Sequence, residues 1–282
     1  MINLEKLENE IKLRGFSNLT TKAYLRHNRA FLKFINKNAE EVNNEDIKNY
    51  ISTLTNKNIK PSSLSLVISA LKCYYYDVLK KTILNDVKIP KYEKQVEEML
   101  TKEEVNKIIS SIRNPKHKLV VSFMYASGLK VSEVVKLKIN DLDFKNKIGR
   151  ITTEKNKRER VFILSENVLK DVEDYLRNRN KESEFLFPTK YGCMSIRSAQ
   201  KIVDKAAKRA KLEKKVHCHL LRASCAKHML ESGINKKIIN TLLGNYSLGV
   251  KSNKALKDGL KNIKSPFDEL SSKETSEKTK DI

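Results

Sequence analysis

Residues 148–165 read IGRITTEKNKRERVFILS. Ile148 and Ile151 precede a polar run, Glu154–Arg158, and Val161 and Ile163 follow it. Two short segments carrying β-branched residues on either side of a charged turn predict a β-hairpin. A further short strand is expected at Glu184-Phe185-Leu186-Phe187-Pro188. Most of the remaining chain has a helical period, so the hairpin decides the class: mainly α (α+β), with one small β-hairpin sheet.

Upstream, Thr101-Lys102-Glu103-Glu104 has a capping-box pattern, with Glu104 three residues after Thr101. Leu119–Tyr125 predicts an apolar helix that Gly128 stops. A domain is therefore expected to begin near Met99. Downstream, the chain is expected to be helical from Ile196 to about Leu260. A short helix at Ala255–Ile263 carries a stripe of Leu256, Leu260 and Ile263, suited to its own domain or to a neighbouring subunit. Lys264–Ile282 is polar and charged, and disorder is expected there.

The first part of the chain reads as helices. Asn18-Leu19-Thr20 introduces a run with Tyr24, Phe31, Leu32 and Ile35 at helical spacing. Asn44 is expected to cap a helix bearing Ile47, Tyr50, Ile51 and Leu54, with Glu45 and Asp46 in its first turn. Pro61-Ser62-Ser63 opens another, with Leu64, Val67, Ile68, Leu71, Tyr75 and Val78 on one face. Lys81–Gln95, with Pro90 among charges, reads as a linker. The expected organisation is a helical domain 1–83, a linker 84–98, a mixed α/β domain 99–263 and a polar tail 264–282, without internal repeats.

Among the 282 residues, 57 Lys+Arg face 34 Asp+Glu, for a formal net charge of +23. A compact body with that excess repels itself unless a polyanion neutralises it, so nucleic acid is the expected partner. The plainer alternative is lysine spread over every solvated face. No apolar run approaches the roughly 20 residues that span a bilayer, and MINLEKLENEIK lacks an apolar signal core. A cytoplasmic protein with no membrane partner is expected.

Cys73, Cys193, Cys218 and Cys225 form no CxxC pair, which argues against a zinc ribbon or a thioredoxin-type site. His217, Cys218, His219, Cys225 and His228 crowd together without a closed four-ligand pattern. Reduced, buried thiols are expected, with no metal or cofactor.

Five phrases carry a resemblance. They are IKPSSLSLVISALKCYYY (59–76), YASGLKVSEVVKLKINDLD (125–143), ITTEKNKRERVFILS (151–165), LFPTKYGCMSIRSAQKIVDKAAKRA (186–210) and HLLRASCAKHMLESGINKKIINTLLGN (219–245). In this order and spacing the chain resembles the Xer-like tyrosine recombinases, also called phage integrases. The resemblance implies that 1–83 is a SAM-like core-binding domain and 99–263 a catalytic-type domain, together clamping double-stranded DNA. It implies site-specific DNA recombination or integration, with a tyrosine oxygen attacking a phosphodiester. The products are a 3′-phosphotyrosine and a free 5′-hydroxyl, without metal. Two arginines hold the phosphate, a hairpin lysine protonates the leaving oxygen, and histidines assist proton transfer.

Carried over position by position, half of this site is altered. The family reads GLRVSE where this chain reads GLKVSE, so Lys130 occupies the first arginine position. Lysine keeps the charge and loses the bidentate fork. The family hairpin GKGNKER is EKNKRER here, which assigns Lys155 to the leaving-group lysine and replaces both glycines, by Glu154 and Asn156. His219-Leu220-Leu221-Arg222 keeps the HxxR motif, whose spacing puts both side chains on one helix face. LGH becomes Leu243-Gly244-Asn245, and Asn245 cannot shuttle a proton. Nine residues further on, Lys254 stands at the position of the nucleophilic tyrosine, and neither it nor Ser252 is a substitute the resemblance licenses.

The expectation is a DNA-binding pseudoenzyme, alone, as a homo-oligomer or beside an active recombinase relative. Two alternatives remain: an active recombinase whose nucleophile is displaced to Tyr246, and a non-catalytic RNA-binding or structural protein.

Overall fold

The computed structural model describes residues 4–83, 98–153, 158–179, 182–244, 263 and 265–270, and the chain divides into two compact units, Met1–Val96 and Glu97–Ile282. The architecture is mostly helical with a small antiparallel sheet.

The first unit is built from α1 (Glu5–Leu13), α2 (Asn18–Ile35), α3 (Asn44–Asn56) and α4 (Pro61–Lys72), the last running on into a π-helical turn at Cys73–Val78. The Ser17 hydroxyl caps α2 by accepting from the Thr20 N–H at 3.2 Å. Asn43, and not Asn44, caps α3. Its side chain accepts from the Asp46 N–H while the Asp46 carboxylate accepts from the Asn43 N–H, each at 3.0 Å. The reciprocal pair satisfies two otherwise orphaned donors, and this places the cap one residue earlier than a lone Asn44 would. Leu7, Ile11, Phe31, Ile47, Leu71 and Tyr75 fill the core. The fully buried Asn28 ties α2 to α4 by donating from Nδ2 to the Ala70 carbonyl at 3.0 Å.

The second unit opens with α5 (Lys102–Ser110), capped reciprocally by Thr101 and Glu104, as its sequence requires. Next comes α6 (Pro115–Ala126), whose residues Leu119–Ala126 are all buried. A helix apolar on every side belongs at the centre of a core, and here α7 (Val131–Lys136), α8 (Glu166–Asn178), α9 (Ile196–Arg209) and α10 (Cys218–Glu231) complete it, followed by α11 (Lys236–Leu242).

The expected hairpin is present as β2 (Ile148–Thr153) and β3 (Arg158–Ile163), paired antiparallel with Gly149 opposite Phe162. Arg158 belongs to the strand and not to the turn. The Phe162 ring occupies the space above Gly149, where an added Cβ would lie 2.0 Å from its Cζ, so only glycine fits. The third strand of this sheet is β1 (Leu142–Asp143), which pairs with β2.

The segment expected as a strand at Glu184–Pro188 is different. Phe185 makes an isolated bridge to Lys138, while Pro188–Thr189 (β4) pairs with Gly192–Cys193 (β5) in a separate two-residue ribbon. The Leu186 and Phe187 side chains serve the core instead of a sheet face. The helical stretch after Ile196 is likewise interrupted, at 210–217 and 232–235, where Gly233 takes φ +82°.

Part of the tail also departs from expectation, while 264 and 271–282 lie outside the described residues. Residues 266–270 form a helical turn on the core, with Ser265, Phe267 and Leu270 buried. The Ser265 hydroxyl donates to the Ala126 carbonyl at 2.7 Å, Phe267 meets Tyr125 edge-on at 6.4 Å, and Lys102 pairs with Glu269. Two apolar residues in a charged stretch suffice to dock it. Ile263 packs on the same core, and the remainder of the expected Ala255–Ile263 helix lies outside the described residues. Among the described residues, no helix is long and apolar enough to cross a membrane.

The crowded histidines and cysteines have separate structural duties. Cys225 is fully buried, and burial pushes its thiol up to about 12. His228 is buried against Tyr125, whose hydroxyl lies 2.8 Å from Nδ1. Burial raises the Tyr125 hydroxyl, so it keeps its proton, and burial lowers the His228 imidazole, with Glu231 opposing. A lowered folded-state histidine contributes stability that is complete above its unfolded value near 6.5 and is lost as pH falls below it. The melting temperature is therefore expected to drop on acidification from about pH 7 to about pH 5, and to drop less in His228→Gln. Equal drops in the two proteins would remove His228 from the account.

Candidate phosphate-binding site

The HxxR motif opens α10. His217 caps the helix, its Nδ1 accepting from the Leu220 N–H at 3.1 Å, which leaves the proton of the neutral ring on Nε2. His219, in the first turn, is exposed, and its ring lies parallel to that of His217 with centroids 6.4 Å apart.

Arg222, one turn further on, points inward and is only 6% exposed. Its Nη1 donates to the Gly128 carbonyl at 2.6 Å and its Nη2 to the Leu243 carbonyl. Gly128 closes α6 in the left-handed region, at φ +58°, where its Cβ-less backbone lies against Leu243 and Cys225. One guanidinium thus joins the end of α6 to the end of α11. Two of its five N–H groups are used, and the other three have no hydrogen-bond partner among the described residues. Burial pulls this guanidinium below the ordinary arginine range, nearby Arg160 adds to that, and Glu133 opposes it. It remains a cation, because arginine starts so high.

Lys130 is exposed at the N-cap of α7. Its N–H donates to Glu133 Oε2 at 2.7 Å, so the backbone here is held by the carboxylate three residues on. Glu133 also receives Arg160 from β3, with Nε on Oε1 at 3.2 Å and Nη2 on Oε2. The third arm of Arg160 donates to the Leu242 carbonyl. Arg222 Nη1 stands 3.9 Å from the same Oε2. The side chains of Arg160, Glu133 and Arg222 are each under one tenth exposed. Gly244, at φ +67°, leaves room for Arg160; a Cβ there would lie 2.8 Å from Arg160 Cδ.

Of the residues singled out in the sequence, the structure joins Lys130 and Arg222 through Gly128 and Glu133, and puts His219 on the helix of Arg222. Lys155, Asn245, Tyr246 and Lys254 lie outside the described residues. Sequence reasoning missed Glu133 and Arg160. A signal was present: Arg160 and the buried Phe162 are two apart in one strand and so share its inward face. An arginine on an inward face requires a buried partner.

Residues 98–250 match the phage integrase family, and residues 4–84 match the phage integrase N-terminal SAM-like domain. The chain belongs to the phage integrase family of tyrosine recombinases. It is 32% identical to "Tyrosine recombinase XerA" of Pyrococcus horikoshii over 249 residues, which is 87% of this chain and 85% of that protein. It is 29% identical to "Tyrosine recombinase" of Pseudothermotoga lettingae over 253 residues, covering 85% and 88% of the two chains. Among solved structures, a lambda integrase dimer bound to a COC′ core site superposes with TM-score 0.72 at 17% identity, covering 88% of this chain and 96% of that one. At that identity the likeness concerns the fold.

Proposed function

We propose that this chain is a DNA-binding member of the family that grips a duplex through its phosphates and has lost, or nearly lost, strand cleavage. The observation that carries this reading is the lysine at 254, where the motif spacing calls for the nucleophilic tyrosine; residues 247–282 contain no tyrosine. Lys130 and Asn245 weaken the same site in ways that spare binding more than chemistry. An ammonium still attracts phosphate, and an amide still donates a hydrogen bond.

Support for binding is independent of those losses. The net charge is +23, and Arg222 has three N–H groups with no hydrogen-bond partner among the described residues, on a guanidinium held by two backbone carbonyls. Such a preorganised fork suits phosphate oxygens. In this reading residues 1–83 are the core-binding domain, 99–263 the catalytic-type domain and 84–98 the connection between them. In the same reading Lys155, at the leaving-group lysine position between Glu154 and Asn156, brings a further positive charge to the phosphate. The dimeric lambda integrase complex supports more than one copy per site, either of this chain or of this chain with an active relative.

The test is selection from fragments of the source genome, with a low-salt wash, followed by SDS. Enrichment of one duplex that is released by SDS is the expected result. Binding should weaken steeply with salt, by about 0.9 in the logarithmic slope per phosphate neutralised. A complex that survives SDS would mean a covalent intermediate and overturn the loss of cleavage, with Tyr246→Phe then identifying or excluding Tyr246. Preference for structured RNA over duplex DNA would overturn the DNA reading, since A-form RNA offers a different groove geometry.

A further inference from the structure

The geometry points to Arg160 as a positioning residue, one that keeps Glu133 off Arg222 and so leaves the Arg222 guanidinium available to a DNA phosphate. This rests on the reading of Arg222 as a phosphate contact. Among the described residues, Glu133 is the only carboxylate paired with either arginine, and both arginines face it: Arg160 through two hydrogen bonds, Arg222 at 3.9 Å without one. A carboxylate shared unequally between two guanidiniums goes to whichever is better placed. Arg160 is better placed because its third arm is fixed on the Leu242 carbonyl and because Gly244 leaves space for its stem.

Arg222, for its part, is held by the carbonyls of Gly128 and Leu243. Leu242 and Leu243 are adjacent, so the two arginines grip neighbouring carbonyls at the end of α11. Arg160 thereby joins the hairpin strand β3, the start of α7 and the end of α11, the three segments that lead to Lys155, Lys130 and Asn245. Without Arg160, the Glu133 carboxylate would be left in a buried place with Arg222 as its one paired cation among the described residues. Such a charge closes on the available partner, because an unpaired buried carboxylate is costly. Arg222 would then spend its free N–H groups on Glu133 and lose them for phosphate.

The experiment compares binding of the duplex recovered by the selection above to five proteins: wild type, Arg222→Ala, Arg160→Ala, Arg160→Lys and the double variant Arg160→Ala with Glu133→Gln. The reading is the slope of log K against log salt, with a thermal melt of each protein. Arg222→Ala should lose about tenfold in affinity and about one unit of slope, the signature of one phosphate contact. Arg160→Ala should lose the same, although the wild-type side chain is committed to Glu133 and to the Leu242 carbonyl. The double variant should regain the slope, because a neutral amide at position 133 no longer claims Arg222, even though this protein lacks the Arg160–Glu133 pair altogether and melts no higher. Arg160→Lys should fall between wild type and Arg160→Ala.

A merely structural role predicts that the double variant binds no better than Arg160→Ala, and that result overturns the inference. So does an Arg160→Ala protein with the wild-type slope where Arg222→Ala has lost its unit. If Arg160→Ala does not fold, the comparison of Arg160→Lys with and without Glu133→Gln decides in the same way. An Arg222→Ala protein with an unchanged slope, or a wild type that binds no DNA, is a different failure: it removes the phosphate-contact reading first, and this inference with it.

Discussion

Glu133→Ala should destabilise the second unit by about 3–5 kcal/mol, the cost of breaking a buried ion pair by deleting one partner. The carboxylate accepts the Lys130 N–H at 2.7 Å and both inner donors of Arg160, with Arg222 3.9 Å away, and it is 9% exposed. Its loss strands two guanidiniums in a place that water scarcely reaches and frees the N-terminus of α7. For a unit of this size the change corresponds to a fall in melting temperature of about 6–20 °C. Glu133→Gln keeps an acceptor oxygen but not the charge, and should cost about 1–3 kcal/mol. Chemical denaturation of the three proteins is the measurement. A loss under about 1 kcal/mol in the alanine variant would mean that the pair behaves as a solvated one, in conflict with its burial.

That hub shows where a sequence is silent. Thr101 and Glu104, or Ser17 and Thr20, are three residues apart, so the sequence displays both members of each cap. The hairpin was legible for a similar reason, since its two strands are joined by their own turn. Glu133 and Arg160 are 27 residues apart, and Arg222 lies 94 residues from Gly128. Periodicity cannot report such pairings, which depend on how α6, α7 and β3 pack. The HxxR motif made Arg222 visible as a residue type at a spacing, but not the two carbonyls that orient it.

The errors have the same origin. Residues 184–188 look like a strand because Phe185, Leu186 and Phe187 are apolar and adjacent, and their backbone does meet a neighbour, with the Leu186 N–H donating to the Leu137 carbonyl at 2.8 Å and the Ile139 N–H to the Glu184 carbonyl at 2.9 Å, yet the pairing goes no further than one bridge and Leu186 and Phe187 are in the core cluster. The tail looks unstructured because its charge dominates any window average. Phe267 and Leu270 dock it through positions that a window dilutes, and the half-buried Asp268 accepts an N–H bond from Asn167 at 3.3 Å. Burial holds the Asp268 carboxyl above the usual carboxylate range. In each case tertiary packing overrode a local average.

The substitution with the largest expected effect on chemistry is Lys254→Tyr. On the proposed reading, wild-type protein incubated with its duplex should give no SDS-resistant complex, because Lys254 offers no attacking oxygen at the nucleophile position. In Lys254→Tyr a phenolic oxygen is available to form the O–P bond as the P–O5′ bond breaks, the phenol giving up its proton and the departing 5′ oxygen taking one up to leave as a hydroxyl. A covalent protein–DNA band should therefore appear, and Lys254→Phe, which supplies the same ring without the oxygen, should give none. The yield should be small, since Lys130 supplies charge without the planar fork that two equatorial oxygens need. Adding Lys130→Arg should raise the rate by about 10²–10³, the usual worth of one preorganised donor to a developing charge. Asn245→His should add a smaller factor by restoring proton transfer. A triple variant that binds with the wild-type slope and still yields no adduct would sink the assignment of Lys254 to the nucleophile position, or show that Glu154 and Asn156 hold Lys155 away from the leaving oxygen. Restoring glycine at those two positions separates the explanations, because only the second allows the adduct to return.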